Sequence, residues 1–241
     1  MFALAMLAVA TAVTAQPPEE QWGQTDRVYD GRLTFVRLRW GSGRGGWGFM
    51  SRAWDHDFPR AEQNLSLMLD EMTEIDVNLD GSLILSLDDP QLYHYPISYM
   101  WEPGFWEMTT SEEAGFRDYL LKGGFVIFDD FEGDHWYNLE EKMRRVLPGL
   151  RWVKLDQTHP IFDSFFRMTT IEFPHPSYGI LPTYFGLYED NDPRKRLIAI
   201  ANHNNDVAEY WEWSGRGIFP VDTSNEAYKL GINYMLYALT H

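Results

Sequence analysis

The feature that most constrains the fold of this chain is an alternation of short apolar segments with longer amphipathic ones. Residues 125–128, Phe-Val-Ile-Phe, are apolar throughout, as in strands buried on both faces of a parallel sheet. Helices are predicted on either side of this strand, at residues 111–122 and 136–147. Strands that alternate with helices of about 10 to 15 residues indicate βαβ units. The sequence therefore predicts an α/β fold, a three-layer sandwich around a mostly parallel sheet.

The same two patterns recur through the rest of the chain. Alternating or wholly apolar runs predict further strands at residues 32–40, 97–100, 183–188 and 197–201. Apolar residues at helical spacing predict one helix after Pro59 and a closing helix at residues 226–239. We expect a single α/β domain at residues 32–241, preceded by a tether at residues 16–31 that is rich in Pro, Gln and Glu.

The composition fits a packed globule and excludes several kinds of chemistry. Hydrophobic residues make up 44% of the chain and aromatic residues 16%, which is enough to build a core. The absence of cysteine excludes disulfides, thiolate zinc sites, iron–sulfur clusters and cysteine nucleophiles. With 36 acidic against 20 basic residues, the formal charge of −16 repels phosphate backbones, so nucleic acid is not an expected partner. Basic partners or divalent cations suit this charge.

Residues 1–15 have the pattern of a secretory signal, and two interpretations of them stay open. An apolar run at residues 2–10 is followed by Val-Thr-Ala, as at a signal cleavage site. No Lys or Arg precedes Arg27, and a helix of this length rises roughly 22 Å, against about 30 Å of hydrocarbon. The segment is either a cleaved signal or an anchor in one leaflet or a protein groove. Its anchoring side chains would be Phe2, Leu4, Met6, Leu7 and Val9.

A first cluster of chemical groups follows the apolar strand. Residues 129–135, Asp-Asp-Phe-Glu-Gly-Asp-His, hold four carboxylates and one imidazole. In open α/β sheets, ligands bind at the carboxyl ends of the strands, where these residues would lie. They could hold a hard divalent cation or supply an acid/base pair. The alternative is a solvated acidic loop in which one Asp caps the next helix.

A second cluster, Asn-His-Asn-Asn-Asp at residues 202–206, follows the strand predicted at 197–201 and would share the same edge. His203 with Asp129 or Asp130 could form a metal site or a polar network. Alternatively, the Asn residues adopt turn conformations and Asp206 caps a short helix at residues 207–210. The metal alternative as a whole comprises Asp129, Asp130, His135, His203 and Asp206.

Other motifs give weaker indications. No Gly-x-Ser-x-Gly nucleophile elbow occurs, so no catalytic residue is assigned. The glycine-rich residues 41–48 lack the Lys-Ser/Thr ending of a phosphate loop and the dinucleotide spacing, so no cofactor is predicted. Five aromatic residues could form a platform for a sugar or a protein partner, or belong to the core. They are Trp101, Phe105, Trp106, Trp211 and Trp213.

Six segments together resemble one bacterial family, domain of unknown function 4159: residues 35–39, 95–100, 123–131, 159–162, 202–206 and 231–234. The resemblance implies a flavodoxin-like sandwich related to class I glutamine amidotransferases, in proteins that are exported or attached to membrane proteins. The amidotransferase nucleophile is a cysteine after a central strand. This chain has Phe128-Asp129-Asp130 at the equivalent strand end and no cysteine, so the resemblance implies no reaction.

The apolar N-terminal segment and the resemblance together predict a non-catalytic accessory subunit. It would lie at the periplasmic face of the cytoplasmic membrane and brace a larger membrane protein complex, with membrane contact through residues 1–15. A photosynthetic reaction centre–light-harvesting complex is one such setting. The alternative is a metal-dependent hydrolase or a carbohydrate-binding protein centred on the acidic and histidine residues at the carboxyl edge of the sheet.

Overall fold

The computed structural model describes residues 23–25, 27–41 and 53–241, which build one eight-stranded sheet. The strands are β1 (Gly23–Gln24), β2 (Val36–Arg39), β3 (Ser82–Ser86), β4 (Ile97–Trp101), β5 (Phe125–Phe131), β6 (Val153–Lys154), β7 (Thr183–Tyr188) and β8 (Leu197–His203). Their order across the sheet is β1-β3-β2-β4-β5-β8-β7-β6. Strands β1 to β5 and β8 pair in parallel, whereas β7 runs antiparallel to β8 and β6 antiparallel to β7. The sheet is therefore mostly parallel, as the sequence predicts.

Helices cover both faces of this sheet. They are α1 (Arg60–Met72), α2 (Thr110–Leu121), α3 (His135–Val146), α4 (Val207–Glu212) and α5 (Val221–Thr240). Helices α1, α4 and α5 share one apolar core with Ile127 of β5, and α2 and α3 share the other core with Phe128. Because successive strand residues point to opposite faces, β5 contributes to both cores. The predicted three-layer α/β sandwich is confirmed.

The order of the central strands identifies where ligands bind in such a sheet. Counted along the chain, the parallel strands β2, β3, β4, β5 and β8 lie in the order 2-1-3-4-5, which is the order of flavodoxin-like sheets. The winding direction reverses between the first and third of them, here β2 and β4. Ligands of such folds bind outside the carboxyl ends of the strands at this reversal. Kinship with class I glutamine amidotransferases stays a prediction.

Three strands differ from the sequence-based expectation: β1, β3 and β6, the last a two-residue edge strand. Strand β3 was not predicted, because its apolar core, residues 83–85, is too short to separate from a loop by pattern alone. Part of the predicted tether, Gly23–Gln24, pairs with β3 as an edge strand. Backbone pairing at a sheet edge requires no apolar side chain, so a Gly-Gln pair gives no signal.

Some predictions fall on other parts of the chain. Residues 1–15, half of the tether and residues 42–48 of the glycine-rich loop lie outside the described residues. Among the helices of the described ranges, none is both long enough and apolar enough to cross a membrane.

Helix α5 packs closely against α4 and α1 at Gly231. A Cβ atom there would lie 2.5 Å from Cζ2 of Trp211 and 3.0 Å from Cδ1 of Leu65, both of which are buried. We expect Gly231→Ala to lower the free energy of unfolding by about 1–3 kcal/mol in urea denaturation, although Ala favours helices. Gly41→Ala is the matched control, because its nearest atom would lie at 3.9 Å. Equal effects of the two substitutions would contradict this packing.

Candidate active site

A cleft of about 580 Å³ opens at the carboxyl ends of β2, β4, β5 and β8. None of the residues that line it is Lys or Arg. Seven acids and three histidines line it: Asp57, Glu102, Asp130, Glu132, Asp206, Glu209, Glu212, His56, His135 and His175. The cleft is therefore strongly electronegative, and it lies where the winding of the sheet reverses.

Four different strand ends deliver the central carboxylates. Asp57 lies in the connection from β2 to α1, Glu102 directly follows β4, and Asp130 lies near the end of β5. Asp206 lies between β8 and α4, where its Oδ1 accepts a hydrogen bond from the backbone N–H of Glu209 at 3.0 Å. The carboxylates are far apart in sequence and meet only because parallel strands end at the same edge.

A bulge in β5 turns Asp130 out of the regular strand alternation. The register with β8 shifts between Phe128 and Phe131, and both of these side chains lie in the same core. Asp130 adopts a left-handed backbone with φ of 59°. An extra residue in one strand re-aims a side chain, and here it directs a carboxylate into the cleft.

Two more cleft acids share this unusual backbone conformation. Asp57 has φ of 59° and Glu102 has φ of 48°, both left-handed. A non-glycine residue in this region costs on the order of 1–3 kcal/mol and persists where the surrounding structure enforces it. Such residues cluster at functional sites, so their coincidence in one cleft favours a functional role for it.

Three buried carboxylates form the centre of the cleft. Asp57, Asp130 and Asp206 each place one oxygen within 4.8 Å of the other two, and their residues are only 7%, 6% and 4% exposed. Trp101 Nε1 donates to Asp57 Oδ2 at 2.9 Å, and His56 Nδ1 lies 2.8 Å from Asp130 Oδ2. Each carboxylate is thus oriented by a hydrogen bond on one oxygen.

Two further groups adjoin this centre and share its members. His56, Glu102 and Asp130 place ligand atoms within 4.8 Å of one another, and so do Asp57, Glu209 and Glu212. Asp130 and Asp57 therefore each belong to two groups. The oxygen and nitrogen atoms form a continuous set of candidate cation ligands along the cleft.

Burial shifts the acids of the cleft towards their protonated forms. It raises the pKa of Asp130 to about 6, that of Glu209 to about 8 and that of Glu102 to about 9. Burial, followed by the charge of Asp130, also raises the pKa of Asp206 well above its usual range. The hydrogen bond to Asp130 raises the pKa of His56 to about 9. Without a cation, the cleft therefore retains protons at neutral pH.

The cation-free protein is expected to lose stability as the pH rises from about 7 to 9. Glu209, Glu102 and His56 bind protons more tightly in the folded state than in the unfolded chain, and their folded pKa values of about 8, 9 and 9 lie in this window. Removing protons that only the folded state holds lowers the free energy of unfolding. We expect calorimetry in chelator to show a Tm at least ~3 °C lower at the higher pH. A constant or rising Tm would contradict these proton affinities.

His175 contributes an unused hydrogen-bond donor to the cleft wall. Its Nδ1 accepts a hydrogen bond from the backbone N–H of Ser177 at 3.1 Å, and burial lowers its pKa to about 4. The neutral ring therefore carries its proton on Nε2, which is buried and has no partner among the described residues. The residue is 3% exposed. A bound ligand could satisfy this donor.

Arg37 on β2 holds the segment that carries His56 and Asp57. Its Nη1 donates to the carbonyl oxygens of Trp54 at 2.7 Å and His56 at 2.8 Å. Its Nε donates to Glu62 Oε1 at 2.5 Å, and both charged side chains are fully buried. The guanidinium also lies 3.4 Å from the ring centroid of Trp101, the residue that donates to Asp57.

The structure gathers only part of the predicted metal cluster. Asp130 and Asp206 lie at the centre of the cleft and His135 lines it. His203 does not line it: its Nε2 lies 3.1 Å from the carbonyl oxygen of Gly133, and its ring packs against Trp136. His203 is therefore not placed to share a cation with the central carboxylates.

Asp129 is a structural residue. Its side chain is fully buried and accepts hydrogen bonds from Tyr99 Oη at 2.6 Å, from Asn202 Nδ2 at 2.9 Å, and from the backbone N–H groups of Val207 at 2.8 Å and Ala208 at 3.0 Å. These bonds attach the first turn of α4 to β5. The alternative to metal binding, a solvated acidic loop in which one Asp caps the next helix, does not describe this residue either, because Asp129 is buried and bonds to α4, while Asp134 at the N-cap of α3 forms no side-chain capping bond.

The predicted aromatic platform is divided between core and cleft. Trp101 and Trp106 are 0% exposed and Trp211 is 1% exposed, so these three belong to the core. Phe105 and Trp213 are partly exposed and line the cleft. The five residues therefore do not form one exposed surface.

Several cleft residues were not singled out from the sequence: His56, Asp57, Glu102, His175, Glu209 and Glu212. Glu102 could have been found, because it lies two residues after the strand predicted at residues 97–100 and so at the carboxyl edge. His56 and Asp57 gave no such signal, because their distance to β5 is set by tertiary contacts of the β2–α1 connection.

Fold and site together define an α/β domain with an acidic, histidine-containing cleft at the carboxyl edge of its sheet. The chain belongs to the domain of unknown function 4159 family, whose sequence profile matches residues 34–239. This match confirms the resemblance, and the matched range includes every cleft residue. A search of curated proteins finds no match.

Proposed function

We propose that this domain is a metal-dependent hydrolase whose cation binds among Asp57, Asp130 and Asp206. The observation that carries the proposal is the convergence of these three buried carboxylates, from three separate segments, with oxygens within 4.8 Å of one another. Each is held by its own hydrogen-bond donor, as ligands of protein metal sites usually are.

The donor set favours a hard divalent cation. Carboxylate oxygens are the preferred ligands of Mg²⁺, Mn²⁺ and Ca²⁺, and His56 orients one of them by its hydrogen bond to Asp130. Buried carboxylates that face one another repel, and burying an unpaired charge is costly. A bound cation would relieve both effects. Protons would also neutralise the acids, but each proton binds one carboxyl group and does not require three carboxylates to face the same point.

The acids around the cation site suit hydrolysis. A cation held by Asp57, Asp130 and Asp206 would supply a water of lowered pKa and polarise the bond to be cleaved. A cleft carboxylate could then accept the proton that the attacking water loses. Burial raises the pKa of Glu102 to about 9 in the cation-free cleft, which makes Glu102 the candidate to donate a proton to the leaving group. One carboxylate thus accepts the proton of the water, and a different acid, Glu102, donates a proton to the leaving group.

The test is a comparison of hydrolysis with and without Mn²⁺. Chelator-treated full-length protein is assayed on chromogenic phosphoesters, carboxylic esters and glycosides. We expect turnover of at least one class with Mn²⁺, reduced at least ~100-fold by chelator or by Asp206→Asn. Glu74→Gln removes an exposed acid outside the cleft and should keep full activity. Cation binding without turnover of any class would overturn the hydrolase assignment.

The non-catalytic accessory role at the periplasmic face stays a prediction, with a photosynthetic reaction centre–light-harvesting complex as one setting. It depends on residues 1–15, which lie outside the described residues. If the role is real, deletion of these residues should release the chain from co-purifying membrane proteins in mild detergent. Unchanged co-purification would contradict it.

A further inference from the structure

A second cavity, of about 540 Å³, lies on the face of the sheet that α3 covers. Unlike the cleft, it combines aromatic rings with two guanidinium groups. Six of the residues that line it are Trp136, Glu140, Arg144, Arg151, Trp152 and Phe185. We call this cavity the arginine–tryptophan groove.

Aromatic rings form one side of the groove. The ring centroid of Trp136 lies 4.3 Å from that of Phe185 and 5.6 Å from that of Trp152. All three residues are partly exposed, so part of their apolar surface faces the groove. Neither indole N–H donates a hydrogen bond to any of the described residues, and neither is buried without a partner. Both N–H groups are therefore available to a ligand.

The two arginine side chains of the groove are also unused. Arg117 and Arg145 nearby pair with Glu113, whereas neither Arg144 nor Arg151 forms an ion pair with any described residue. Glu140, one turn before Arg144 on α3, lines the groove but lies beyond ion-pair distance of it. In a chain with 36 acidic residues, two unpaired guanidinium groups beside one cavity are a specific feature.

We propose that the arginine–tryptophan groove binds a hexuronate, a pyranose ring that carries one carboxylate. The apolar face of such a ring stacks on indole, its hydroxyl oxygens accept from indole N–H groups, and its carboxylate matches the planar fork of arginine. The net charge of −16 and the presence of Glu140 disfavour groups that concentrate two negative charges, such as a phosphate, relative to a single carboxylate. The groove volume suits a ligand of this size.

The test is isothermal titration calorimetry of the full chain with D-galacturonate and with trigalacturonate. We expect binding of at least one of them, with D-galactose at least ~10-fold weaker, because the neutral sugar lacks the charge-assisted bonds. Tighter binding of the trisaccharide would identify a polysaccharide as the source, and equal binding a free sugar acid. Either result supports the proposal.

Matched variants separate this groove from the rest of the surface. The double variant Arg144→Gln/Arg151→Gln should weaken binding at least ~10-fold at unchanged Tm. Lys154→Gln removes an exposed positive charge next to the groove without touching its lining and should leave binding unchanged. Trp152→Phe keeps an aromatic ring but removes the N–H donor, so its expected effect is smaller, about 3-fold.

Three results would overturn the proposal: no uronate binding at about 10 mM ligand, equal binding of galactose and galacturonate, or tighter binding of inorganic phosphate or adenosine monophosphate. The groove shares no lining residue with the acidic cleft. Uronate binding is therefore expected to survive chelator and the Asp206→Asn substitution. The uronate proposal would therefore stand if the hydrolase assignment failed, and the hydrolase assignment would stand if no uronate bound.

Discussion

Asp206→Asn is expected to stabilise the cation-free protein and to abolish its stabilisation by Mn²⁺. Asn can replace Asp as the N-cap acceptor for the backbone N–H of Glu209. The substitution also removes a carboxyl whose pKa burial raises well above its usual range, so that folding opposes an ionisation that the unfolded chain undergoes freely. The variant therefore loses a cation ligand but keeps the hydrogen bond to the backbone N–H of Glu209. It should be more stable than the wild type without the cation and should lack the stabilisation that the cation gives to the wild type.

Thermal unfolding in chelator and in excess Mn²⁺ measures both effects. At 100 times the dissociation constant, a cation that binds only the folded state stabilises it by about 2.7 kcal/mol, and we expect the wild-type Tm to rise by roughly 5 °C or more. Asp206→Asn should begin at a higher Tm in chelator and show almost no increase. Glu74→Gln should follow the wild type. A variant that is less stable in chelator, yet still responds to Mn²⁺, would show that Asp206 is only structural.

Arg37→Met is expected to cause the largest loss of stability, about 3–5 kcal/mol in the free energy of unfolding. The substitution leaves Glu62 as an unpaired buried charge and removes the donors to the carbonyl groups of Trp54 and His56. The segment that carries His56 and Asp57 then loses the hydrogen bonds that attach it to β2. Urea denaturation gives the free energy, and titration calorimetry gives the accompanying loss of Mn²⁺ affinity.

The double variant Arg37→Met/Glu62→Leu separates the two consequences. It removes the unpaired charge, so most of the lost stability should return, as when buried ion pairs are replaced by apolar residues elsewhere. Mn²⁺ affinity should stay low, because the carbonyl groups of Trp54 and His56 still lack their donors. Arg194→Met, at an exposed ion pair, should change stability by less than ~1 kcal/mol. Full recovery of affinity in the double variant would exclude Arg37 as a positioning residue.

The architecture was predictable where the sequence pattern is local. The apolar run at residues 125–128 predicts the buried parallel strand β5. The apolar spacing on either side of it predicts helices α2 and α3. The rule that ligands bind at carboxyl ends of strands correctly directed attention to Asp130 and Asp206. Both follow from periodicity and topology, which a single sequence contains.

The remaining site residues depend on contacts that no local pattern encodes. Asp129 and Asp130 are chemically identical neighbours, yet the bulge in β5 makes the first a buried cap for α4 and directs the second into the cleft. Asp57 joins them only because the network around Arg37 holds its segment in place. Sequence can therefore indicate an acidic edge, but the selection of ligands requires the folded geometry.

Anomalous scattering from Mn²⁺-soaked crystals of the full chain tests the central claim most directly. We expect one strong peak in the cleft within about 2.3 Å of oxygens from Asp57, Asp130 and Asp206, a distance typical of divalent cations with oxygen ligands. The peak should be absent from Asp206→Asn crystals soaked in the same way. A cleft that stays free of Mn²⁺, with its carboxyl groups hydrogen-bonded to one another, would contradict a metal centre at this site.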